Sequence, residues 1–284
     1  MSRNTRQEMQ HRPASKELAT AKSWIADGKI SEASTLLRKC LEREPANAEV
    51  WFLMAQVARL AGDAGMALEL IATALERQPR KAEFLIEKAT ILAALGRADE
   101  ASAICERGLE FDRLNHDSHA ALGRFHLLLG QREKAVLHLR AAAKLRPDAA
   151  EPFSLLGHIL MDLGRWEEAQ ESLQACLRMD PNHLRALWGL GNLFRQRTQT
   201  GKAIEYYTRA LTVKPGDPAI LSNLGNTWLD LGEHEQAIAC YEEALRKNPH
   251  SPVTHSNLLA ALHYPSGVSP DKIAAAHRDW GYCP

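Results

Sequence analysis

Four asparagines carry the most suggestive chemistry in this sequence. Asn192 and Asn226 stand 34 residues apart, and so do Asn223 and Asn257. A primary amide offers one acceptor and two donors, so it can clamp a peptide group with two hydrogen bonds. Contacts of that kind read a partner's backbone rather than its side chains, which suits a groove that takes extended peptides. Trp188 lies on the same wall, four residues before Asn192, and either supplies an aromatic anchor or packs between structural units. Three histidines, His116, His119 and His126, are the best candidates for a metal. Ligation needs several convergent donors held by outer partners, whereas His119 and His126 fall on helix positions that face a neighbouring helix. They read as packed or solvated imidazoles, with no metal and no cofactor. Glu49, Glu83, Asp117 and Glu151 recur at intervals of 34 and form either an acidic strip or a set of carboxylates complementing helix N-termini. The second reading requires nothing of a partner and is preferred. No phosphate-cradling glycine loop, nucleophile elbow or zinc-protease motif occurs. No residue is assigned a catalytic role, and the chain is expected not to be an enzyme.

The elements that position these side chains follow from a strict repeat. Pro45, Pro79, Pro147, Pro181, Pro215 and Pro249 lie on one ladder of period 34, with a single empty rung at Arg113. With the proline at offset 32, units begin at residues 14, 48, 82, 116, 150, 184 and 218, and an incomplete eighth at 252. Offset 20 holds Ala33, Ala67, Ala101, Ala135, Ala169, Ala203 and Ala237, while offset 8 holds Ala21, Ala55, Ala89, Gly123, Gly157, Gly191 and Gly225. Offset 15 is Gly28, Gly62, Gly96, Gly130, Gly164 and Gly232, broken by Thr198. Apolar residues at offsets 4, 7, 8 and 11 have helical spacing and predict a first amphipathic helix in each unit. A glycine then stops it, a second helix runs over offsets 20 to 28, and the proline ends that helix. Small residues at offsets 8 and 20 let the two helices approach closely. Asn47, Asn115, Asp217 and Ser251 are suited to cap the first helices, with Pro218 and Pro252 at the first helical position.

These columns resemble the tetratricopeptide repeat over residues 14–251. The resemblance implies an all-α, right-handed superhelix, an α-solenoid of helical hairpins whose first helices line a concave groove for peptides or partner helices. The asparagines resemble the ladder in the groove of the eukaryotic O-linked N-acetylglucosaminyltransferase arm. Units one to five depart from it, with Lys22, Gln56, Thr90, Arg124 and His158 where Asn192 and Asn226 stand, so a ladder is confined to the last third. That asparagine is simply common at these positions stays an equal alternative. The carboxylate clamp of chaperone-binding repeats does not fit: Trp188, Asn192, Asn223, Val253 and Asn257 occupy its positions, and its cations are missing.

Residues 252–264 begin an eighth first helix, after which the period fails. Ser269-Pro270-Asp271 reads as a fresh helix start, and Ile273, Ala276 and Trp280 form an apolar stripe that would cap the exposed end of the array. The alternative comes from resemblance: residues 255–281 look like the junction that joins the repeat arm to the catalytic lobes in bacterial O-linked N-acetylglucosaminyltransferase-like proteins. Residues 1–13 read as a polar tail without a secretory signal.

Lys+Arg and Asp+Glu both number 35, so the basic surplus of a sequence-independent nucleic-acid binder is absent. No apolar run is long enough for a membrane span. The five cysteines are widely spaced and show neither a metal nor a disulfide pattern. The expectation is a cytoplasmic scaffold for a protein or peptide partner, or else the substrate-recruiting arm of a glycosyltransferase. The sequence does not define an oligomeric state.

Overall fold

A computed structural model describes residues 14–263 and 269–281. The expected polar tail 1–13, Ser266 and Cys283 lie outside the described residues. The described residues form sixteen α-helices and no strand, and the chain divides into two compact units, Met1–Arg146 and Pro147–Pro284. The first contains α1 (Ala14–Ala26), α2 (Ile30–Arg43), α3 (Ala48–Leu60), α4 (Ala64–Arg77), α5 (Ala82–Ala94), α6 (Ala98–Phe111), α7 (His116–Leu128) and α8 (Arg132–Leu145). The second contains α9 (Ala150–Asp162), α10 (Trp166–Met179), α11 (Leu184–Gln196), α12 (Thr200–Val213), α13 (Pro218–Asp230), α14 (His234–Lys247), α15 (Pro252–Leu262) and α16 (Pro270–Gly281). Within each unit the helices pair into hairpins and each hairpin stacks on the next.

The helix ends sit where the columns put them. Asn47 Oδ1 accepts from the Glu49 backbone N–H, Asn115 from that of Ser118, Asp217 from those of Ala219 and Ile220, and Ser251 Oγ from that of Thr254. His183, a cap the sequence did not flag, accepts the Ala186 N–H on Nδ1 at 3.3 Å. Between the helices of a hairpin the chain turns through the left-handed region. Gly164 does so at φ 70°, and Thr198, which replaces glycine in that column, is held there at φ 56°, where its Cβ is strained.

Close approach within each hairpin explains the two small-residue columns. All seven alanines at offset 20 have no exposed surface. A Cβ on Gly157 would lie 2.5 Å from Leu173 Cγ, and one on Gly191 2.5 Å from Tyr207 Cε1. Each glycine at offset 8 faces the side chain at offset 24 of its own hairpin: Leu139, Leu173, Tyr207 or Tyr241. In the second unit α16 lays Ile273 and Ala276 against the cluster of Ala237, Ile238, Tyr241, Leu258, Ala261 and Leu262.

Candidate functional site

The four candidate asparagines form two matching networks in the second unit. Tyr207, on α12 at offset 24 of its repeat, is fully buried, and its hydroxyl donates to Asn192 Oδ1 at 2.6 Å. The same oxygen accepts Asn223 Nδ2 from the next first helix at 3.0 Å. One repeat later, Tyr241 donates to Asn226 Oδ1 at 2.7 Å, and Asn257 Nδ2 donates to it at 3.0 Å. Burial pushes both phenols well above their ordinary pKa, so they remain protonated donors at neutral pH.

This arrangement divides the amide chemistry. The oxygens of Asn192 and Asn226 are occupied inside the protein. By valence, each network retains the two Nδ2 hydrogens of its first asparagine. It also retains the oxygen and one hydrogen of its second. A buried tyrosine therefore sets which end of the Asn192 and Asn226 amides is available. Sequence reasoning found the asparagines and missed the tyrosines. The signal was present, because tyrosine occurs at offset 24 only in the two repeats with asparagine at offset 9.

One repeat earlier the same positions are His158, Gly189 and Leu173, which provide no donor for the imidazole. His158 Nδ1 donates to the Ser154 carbonyl at 2.8 Å, leaving Nε2 as an acceptor. That nitrogen is buried without a partner, as is Trp188 Nε1. The two rings lie 6.4 Å apart and inclined by 40°. A Cβ on Gly189 would come within 3.0 Å of the His158 ring. Burial lowers the His158 pKa, opposed by the Ser154 carbonyl.

The four recurring carboxylates each meet a base. Glu49 is held by Lys22 at 2.8 Å and Lys81 at 3.1 Å. Burial alone would raise its pKa, but the two lysines outweigh burial and lower it. Lys81 also lies 3.8 Å from Glu83, Arg146 3.9 Å from Asp117, and His183 and Arg185 3.5 and 3.8 Å from Glu151. An acidic strip waiting for a basic partner is not what these residues form.

The histidines assemble differently from the grouping suggested by the sequence. His116 Nδ1 bonds the Ala142 carbonyl, whereas His119 and His126 meet His138 of α8. His119 Nδ1 lies 3.0 Å from His138 Nδ1, and the His126 and His138 rings stack at 5.3 Å. Among the described residues no group of three or more His, Cys, Asp or Glu is arranged to hold a metal. Cys40, Cys105, Cys176 and Cys240 are free. Burial pushes Cys105 and Cys176 up to about 12 and Cys240 to about 11, so these thiols are not nucleophiles at neutral pH. No helix of the described residues is long and apolar enough to cross a membrane.

Tetratricopeptide-repeat models match residues 58–125, 116–149, 154–218 and 218–251. The chain belongs to the tetratricopeptide-repeat family. No curated protein matches it. Among solved structures, the pilF protein of Pseudomonas aeruginosa is 18% identical with a TM-score of 0.68, over 77% of this chain and 99% of that one. YrrB, described as a repeat protein with an unusual peptide-binding site, is 19% identical with a TM-score of 0.56, over 69% and 97%. MamA is 22% identical with a TM-score of 0.54, over 56% and 94%. At these identities the likeness concerns the fold. The matched family models end at residue 251, so they do not address the resemblance of residues 255–281 to a glycosyltransferase junction.

Proposed function

We propose that this chain is a protein-interaction scaffold, and that its second unit holds an extended peptide segment along Asn192, Asn223, Asn226 and Asn257. The observation that carries this reading is the repetition of the tyrosine–asparagine–asparagine network 34 residues apart. Two amide pairs fixed in the same way, one repeat apart, suit a polymer that offers the same backbone groups again and again. Pre-orientation by Tyr207 and Tyr241 reduces the ordering that binding would otherwise require. A cytoplasmic setting fits the four free thiols.

The test selects peptides on the wild-type chain from a random-peptide display library and measures the best of them by calorimetry. Asn223→Ala and Asn257→Ala, which leave both tyrosine hydroxyls paired, should each weaken binding by about 0.5–1.5 kcal/mol. Unchanged affinity in the double variant, or peptide contacts confined to residues 14–146, would overturn the reading.

A further inference from the structure

In the second unit a buried donor and a buried acceptor without partners lie on neighbouring rings, 6.4 Å apart. Trp188 Nε1–H is the donor and His158 Nε2 is the acceptor. The tautomer is set by the bond from His158 Nδ1 to the Ser154 carbonyl. In the next two repeats the position of His158 is taken by asparagine, whose oxygen receives a tyrosine hydroxyl and a second asparagine. At the histidine those two donors are replaced by Leu173 and Gly189, and Leu173 and the His158 ring fill the space around Gly189. The chain thus supplies internal partners at two successive positions and withholds them at the third. Buried polar groups are normally paired, so an orphaned complementary pair calls for a specific explanation.

We propose that His158 and Trp188 form a recognition point for one residue of an extended partner, whose backbone N–H donates to His158 Nε2 and whose carbonyl, on the same edge of the strand, accepts from Trp188 Nε1–H. This inference rests on the peptide-groove reading above. Both side chains are only part-buried although their nitrogens are covered, so the partner reaches them by turning the indole outward. The ligand class is an uncharged backbone amide. The neighbouring cation and carboxylate, Arg185 and Glu151, already lie 3.8 Å apart.

The experiment uses the same display-selected peptide as its probe and the full chain throughout. Trp188→Phe keeps an aromatic ring and removes the donor, and His158→Leu removes the acceptor. Each should weaken the probe about fivefold, with thermal unfolding of the free chain unchanged for Trp188→Phe. In the wild type, the indole N–H resonance that is absent from the Trp188→Phe spectrum should shift and gain exchange protection on binding. If the Asn223→Ala and Asn257→Ala variants lose affinity while Trp188→Phe binds as wild type and the indole resonance stays in place, the inference falls and the groove reading stands. If the asparagine variants also bind as wild type, both fall.

Discussion

The hydroxyl of Tyr207 reaches Oδ1 of Asn192 at 2.6 Å from the opposite helix of its own hairpin, and Asn223 of the next hairpin completes the coordination of that oxygen. A residue selected as a candidate for binding a partner is therefore also part of the packing of its repeat.

That dual role separates asparagines that look alike in the sequence. Asn192→Ala leaves a buried phenolic hydroxyl unpaired and should destabilise the chain by about 1–3 kcal/mol, whereas Asn223→Ala should cost less than about 1 kcal/mol. Adding Tyr207→Phe to Asn192→Ala should restore part of the loss. Urea unfolding of the four proteins checks this, and equal destabilisation by the two asparagine variants would count against the network.

Glycine at offset 8 is a packing requirement in these repeats. Gly191→Ala places a methyl 2.5 Å from Tyr207 Cε1 and should cost about 1–3 kcal/mol through overpacking. Gly201, in helical backbone with nothing within 4 Å of the added carbon, should gain up to about 1 kcal/mol on the same change. Thermal unfolding of the two variants should shift in opposite directions.

Thr198 is a stability deficit that can be corrected. Its backbone stands at φ 56° where six other repeats have glycine. Thr198→Gly should stabilise by about 1 kcal/mol, near the penalty for a side chain in the left-handed region. A neutral or destabilising result would mean that the Thr198 hydroxyl bond to the Arg197 carbonyl outweighs that strain.

Acid should weaken the fourth hairpin through His138. Burial, with His119, His126 and Lys134 nearby, lowers its pKa from 6.5 to about 4. Between those values the unfolded chain binds a proton that the folded chain refuses, so stability rises with pH across that window. It is complete above the unfolded value and falls progressively as pH drops toward the folded one, by about 3 kcal/mol before it levels off. His138→Leu, matching Leu36 and Leu70 at the same offset, should flatten this part of the stability–pH profile. A profile parallel to wild type would place the acid sensitivity elsewhere.

Much of the fold was legible because the repeat presents each constraint six or seven times. Ala169 alone says little, but the seven-member column to which it belongs identifies a helix contact. The asparagine positions were legible for the same reason. Their internal partners were not, because hydrogen bonds from Tyr207 and Asn223 join residues 15 and 31 apart and helical periodicity does not say which polar groups satisfy one another. His138 is hidden for the same reason, because spacing within α7 carries no information about a histidine on α8. Thr198 was visible as an exception, but only its φ identifies it as a strained turn.

Residues 218–251 carry Asn223 as the donating half of the coupling, and Asn226, its oxygen already paired with Tyr241, as the accepting half. A tandem copy of that segment would therefore match itself at both borders, whereas a copy of 184–217 would bring Gly189 to the junction and leave one asparagine oxygen short of a donor. Lengthening by gene duplication is thus chemically asymmetric along this array. One repeat can be multiplied as a self-compatible cassette, and its neighbour is suited to remain single.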